Sequence, residues 1–123
     1  MKRYDIVLVL GYFRSATAFL SLIKHLSPHH SIGVIPAGID PGILTKNNQD
    51  KAQLTFISLC RKYGADIIPQ GTRVDADLMV VQQFTYPPET AITLMKTVSC
   101  QRRAGMMLLA MAGIEKFDTF IAA

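Results

Sequence analysis

At 123 residues, half of them hydrophobic and 18% charged, the chain is long enough for one domain with its own core and too short for two, and no part of it has a disordered composition. Its formal charge of +4 is spread over scattered cations whose only adjacent pairs are Lys2-Arg3, Arg61-Lys62 and Arg102-Arg103, whereas a nucleic-acid binder gathers them on one face among aromatics. The charge fits mild attraction for an anionic small molecule or, peripherally, an acidic membrane surface, and excludes nucleic acid as the expected partner.

The first apolar run is too short for a signal peptide, and even Ala104 to Ile114 is about half of a membrane span. The expectation is a cytoplasmic protein. In chain order, Ile6 to Leu10 is continuously aliphatic, which marks a strand buried on both faces as in a parallel sheet. Gly11-Tyr-Phe-Arg-Ser15 is a turn, and Ser15 can cap a helix carried by Ala16, Phe19, Leu20, Ile23 and Leu26 and ended by Pro28. Ser31 to Ile35 is a second strand, and Ala37 to Asn48 is loop. A second helix runs from an Asn48 cap through Leu54, Ile57 and Cys60 to Tyr63, with Gly64 suited to the position after its end.

Ala65 to Ile68 is a third short strand, and Gln70 to Ala76 reads as polar loop. Asp77 to Phe84, with Leu78-Met-Val-Val81 at its centre, is the fourth strand. Tyr86-Pro87-Pro88-Glu89 opens a helix that continues through Leu94, Met95 and Val98 to Gly113, with a break near Arg102 to Gly105. Asp118 to Ala122 is the fifth strand. Cys60 and Cys100 both fall in expected helices as reduced thiols. The alternation predicts an α/β, Rossmann-like three-layer sandwich with a mostly parallel five-stranded sheet.

Ligands of open parallel sheets bind outside the carboxyl ends of the strands, which directs attention to four segments. In the first, Gly11 permits a tight turn, and Arg14 and Ser15 precede a helix start that favours an anion; one glycine is too few for a dinucleotide fingerprint, and no P-loop is present. Asp40 follows the second strand, either near a ribose or as a turn-former before Pro41. The third segment is Pro69 to Gly71. The fourth offers Gln82, Gln83 and Tyr86 as hydrogen-bonding groups for a polyol, with Glu89 as an acid that also complements a helix dipole. His25, His29 and His30 cluster at the far edge and complete no metal set. No nucleophile-base pair can be assembled, and no metal is expected.

The opening strand, Gly11 turn and helix ending Leu20-Ser-Leu-Ile-Lys-His-Leu26, the segment Asp75-Ala-Asp-Leu-Met-Val-Val-Gln82, and Ala104 to Ile114 with Phe117-Asp-Thr-Phe-Ile121 together resemble the N-terminal domain of GT-B type glycosyltransferases and nucleotide-sugar 2-epimerases. The chain departs from that pattern at Gly113-Ile114-Glu115, where the family has Gly-Ile-Pro. The resemblance implies an acceptor-side domain that binds a small-molecule or glycan acceptor through Gly11 to Ser15 and Gln82 to Glu89. It implies no cofactor within the domain, a nucleotide sugar as co-substrate of a full-length enzyme, and no activity without a C-terminal half. The apolar end at Phe120 to Ala123 supports the same expectation of a fragment. The alternative is a free-standing nucleotide- or ligand-binding module that completes its sheet by dimerising.

Overall fold

The computed structural model describes residues 1–10, 16–36, 51–69, 71–81 and 96–105. In chain order these form β1 (Lys2–Val9), α1 (Ala16–Leu26), β2 (Ile32–Ile35), α2 (Lys51–Lys62), β3 (Ala65–Ile67), β4 (Val74–Val81) and β5 (Val98–Gly105). The five strands make one sheet in the order β3-β2-β1-β4-β5, and every neighbouring pair is parallel. This is the α/β Rossmann-like architecture that the alternating sequence predicts.

β1 is central because its residues tolerate no water on either side. Ile6, Leu8 and Leu10 point into one apolar cluster and Val7 and Val9 into another, and all five are at most 2% exposed. The first cluster is closed by the helices: α1 presents Phe19, Leu22, Ile23 and Leu26, and α2 presents Phe56, Ile57 and Cys60. These positions recur at three- and four-residue spacing, so each helix lays one stripe on the sheet. The Phe19 and Phe56 rings meet with centroids 6.1 Å apart at 57°, a tilted aromatic contact. Beyond α1, the amides of His29 and His30 both donate to the Leu26 carbonyl. Gly64 has φ +99° and donates its N–H to the Arg61 carbonyl at 3.1 Å, the left-handed stop that a helix end favours.

The second cluster joins Tyr4, Val7, Val9, Ile35, Ile68, Val74 and Met79 among others, and no member comes from α1 or α2. Handedness explains the separation. The chain steps from β1 to β2 to β3 in one direction with its helices on one face. Returning to β4 reverses the direction, so a right-handed connection must cross the opposite face. Ile68 begins that connection and packs into the second cluster. Residues 68–73 must step three strand positions sideways, about 14 Å, where parallel connections ordinarily use about a dozen residues or more. A turn tightens it further, with the Thr72 amide donating to the Pro69 carbonyl and Gly71 at φ +89°.

Two expectations are corrected. β4 begins at Val74, inside the segment read as polar loop. Val74 and Ala76 are buried while Asp75 and Asp77 are half-buried, so its first half alternates and its acids obscured it. Val98–Gly105 is a parallel strand where helix was expected, and Cys100 therefore lies on a strand. The segment's one strongly apolar residue, Val98, happened to continue the spacing of Leu94 and Met95. Beside β4, and last in the order of the described strands, it exposes Ser99, Gln101, Arg102 and Arg103, and pairing overrode the local pattern. The fifth strand expected at Asp118 to Ala122, and the rest of the helix expected around it, lie outside the described residues.

Gly33 faces the second cluster, and a Cβ there would lie 2.5 Å from Ile68 Cδ1 and 3.1 Å from the Tyr4 ring. Gly33→Ala should therefore destabilise the fold by about 1–3 kcal/mol in urea unfolding. Adding Ile68→Val removes the clashing methyl and should recover part of that loss, with a coupling of at least about 0.5 kcal/mol. Strict additivity of the two substitutions would contradict the packing described.

Candidate functional site

The direction of sheet growth reverses between β1 and β4. Their carboxyl ends therefore diverge in connection while staying adjacent in space: Val9 pairs with Val81, and on its other side with Ile35. The last residue before Gly11 is fixed, because the Leu10 amide donates to the Ile35 carbonyl at 3.0 Å and the side chain is fully buried. The segments beginning at Gly11 and Gln82 thus leave neighbouring, rigidly held strand ends. This is the crevice position of a doubly wound sheet.

The expected contact residues Gly11, Arg14, Ser15, Asp40, Gln82, Gln83, Tyr86 and Glu89 lie outside the described residues. What the structure establishes is where their segments depart. Gly11, Arg14 and Ser15 follow β1, Gln82, Gln83, Tyr86 and Glu89 follow β4, and Asp40 follows β2 on the β3 side. α1 runs back from this edge, and its first turn carries no acid, so the positive end of its dipole is not offset there. The described Asp5, Asp75 and Asp77 lie in the amino halves of β1 and β4.

At that amino edge the charges pair with each other. Arg3 donates to the Asp77 carboxylate and lies 3.5 Å from Asp5. Asp5 accepts from the Ser31 amide while its own amide donates to the Ser31 hydroxyl, and His30 Nδ1 stands 3.9 Å from it. The three histidines therefore sit at the end opposite the carboxyl edge, as their place after α1 implied. Lys2 Nζ lies 2.6 Å from Asp66 Oδ2, and the Tyr4 hydroxyl donates to the same oxygen at 2.9 Å, tying β1 to β3 across β2. Among the described residues no three His, Cys, Asp or Glu side chains gather as a metal site. Cys60 and Cys100 are both free thiols; burial in α2 pushes Cys60 up to about 12, which suits an inert core residue.

One feature of the helical layer was not read from the sequence. A trough of about 440 Å³ lies between α1 and α2, lined by Thr17 and Leu20 on one side and Lys51, Thr55, Phe56 and Leu59 on the other. Its signal was available: neither helix contains an acidic residue, and the α2 stripe Thr55, Leu59 is offset from the core stripe. Among the described residues no helix is long and apolar enough to cross a membrane.

The hydrogen bonds from Lys2 and then Tyr4 hold the Asp66 carboxyl below its ordinary value. Stabilisation from this group is therefore complete above the unfolded carboxylate value, about 4, and is lost as pH falls through the lower folded value. Asp66→Asn should lower the urea midpoint at pH 7, and the gap to wild type should close as pH falls from about 4 through the lower folded value. A gap that stays constant over that interval would assign the effect to packing instead. Compared with protein-family models, with curated proteins and with solved structures, the chain matches none of them.

Proposed function

We propose that this chain is the acceptor-side domain of a glycosyltransferase-like enzyme, holding a polar small-molecule or glycan acceptor over the adjoining carboxyl ends of β1 and β4. The observation that carries the reading is the strand order β3-β2-β1-β4-β5, which makes β1 and β4 neighbours at the reversal. Ligands of such sheets enter at that point because the two departing segments leave a crevice between them. Here the candidate residues of the departing segments are Arg14, Ser15, Gln82, Gln83 and Tyr86. That set suits several directional hydrogen bonds to a polyol, with Arg14 available for a charge-assisted bond to any anionic group.

In this reading the domain's own residues bind and orient the acceptor, and Glu89 is the first acid in sequence after β4. The activated sugar would be a nucleotide sugar held by another part of a full-length enzyme. The competing reading is a module that completes its sheet with a second copy through an edge strand; among the described strands β3 and β5 stand at the two ends of the order.

A ¹⁵N-labelled sample titrated with a panel of mono- and disaccharides tests the proposal. Amide shifts should concentrate at the residues following Leu10 and Val81, and Arg14→Ala should weaken an anionic saccharide by about tenfold, the loss of one charge-assisted bond. Shifts confined to the amino edge, or none with any saccharide, would reject acceptor binding. Shifts from nucleotides alone would favour a nucleotide-binding module.

A further inference from the structure

The described charges are sorted by layer. All four described acids, Asp5, Asp66, Asp75 and Asp77, lie on strands, while α1 and α2 carry Lys24, Lys51, Arg61 and Lys62 exposed and no acid at all. The strand acids at 5, 66 and 77 are engaged with Lys2 or Arg3. Among the described residues Lys51, Arg61 and Lys62 have no acidic partner. Among the described residues this helical layer carries one sign of charge, which attracts an oppositely charged partner from a distance.

That surface is also shaped. Phe56, 2% exposed, forms the bottom of the α1–α2 trough, with Leu20 and Leu59 partly buried beside it. Both helices run back from the carboxyl edge between parallel strands, so they lie side by side in the same direction. Lys51 stands at the first residue of α2. At the other end Lys24 lies one turn beyond Leu20, its ammonium 5.6 Å from the centre of the Tyr63 ring, and Lys62 lies one turn beyond Leu59. The result is an apolar furrow lined along α2 from Lys51 to Leu59, about 14 Å, with Lys51 at one end and Lys24 and Lys62 one turn beyond the other.

We infer that the α1–α2 furrow is a docking surface for an acidic amphipathic helix of a partner protein. Apolar residues on one stripe of such a helix fill the furrow, and flanking carboxylates meet Lys51 at one end and Lys24 and Lys62 at the other, the helix-in-groove mode of recognition. Concavity favours this occupant over an anionic bilayer. A bilayer is entered by protruding apolar side chains, and Leu54 is the one large apolar side chain of α1 and α2 that stands exposed. The inference is independent of the acceptor site, because it uses the outer side of the helical layer.

The probe is a fluorescein-labelled amphipathic peptide of about 16 residues, a little over four turns and long enough to span the furrow, with leucines on one stripe and glutamates beside them. It should bind saturably by anisotropy, and a control with every leucine changed to serine should not. Thr55→Trp, at an exposed position, fills the furrow without changing charge, and Lys51→Glu with Lys62→Glu reverses both ends. Each should weaken binding by at least about tenfold while far-UV circular dichroism shows the fold retained. Absence of saturable binding, equal binding of the serine control, indifference to both variants, or preferential binding to phosphatidylserine vesicles with the same sensitivity would overturn the inference.

Discussion

β1 is hydrogen-bonded to a parallel neighbour on each side while both of its faces are closed to water, and the remaining elements take their places from that constraint. A strand with Ile6, Leu8 and Leu10 on one side and Val7 and Val9 on the other must be covered twice. Two connections, through α1 and α2, cover the first face. Because the chain then turns back past β1 to place β4, the next connection is forced to the other face by handedness. The same reversal that closes the second face sets the carboxyl ends of β1 and β4 side by side, so burial of β1 and the candidate ligand position share one cause.

The second face is held by closer tolerances than the first. The return to β4 is made in six residues, and Ile68 occupies the space that a side chain at position 33 would need. Pairing between β1, β4 and β5 also skips Asp5, Asp77 and Gln101 at one level. There the inward set changes phase: Tyr4 and Ala76 share a cluster with Val7 and Met79, three residues further on. This places acids in mid-strand without burying them, where Arg3 meets Asp77 and Asp5. The polar amino edge is thereby occupied by structural pairing, and the functional candidates lie elsewhere.

Much of this was legible in the chain. The unbroken apolar run of β1, the Pro28 stop and the Gly64 stop each report a local physical requirement, and each stands where expected. β5 was not legible, because Val98–Gly105 carries little inward apolar alternation and is marked as a strand by its pairing with β4. The first half of β4 was hidden for a related reason: its buried residues alternate with acids that local reading assigns to loop. That a candidate ligand position belongs at the carboxyl edge followed from strand alternation, but its place between β1 and β4 required the strand order, which no local pattern encodes. The furrow between α1 and α2 was hidden by the opposite problem, since a missing residue type is easily passed over.

The central claim is that β4, and not β3, lies beside β1 at the reversal. Interstrand backbone nuclear Overhauser effects in a ¹³C,¹⁵N-labelled sample test it directly. The account predicts contacts from Val9 to both Val81 and Ile35, and none between β3 and β4. Contacts linking Ala65–Ile67 to Val74–Val81 would mean a sheet grown in simple chain order, without the reversal on which the crevice depends.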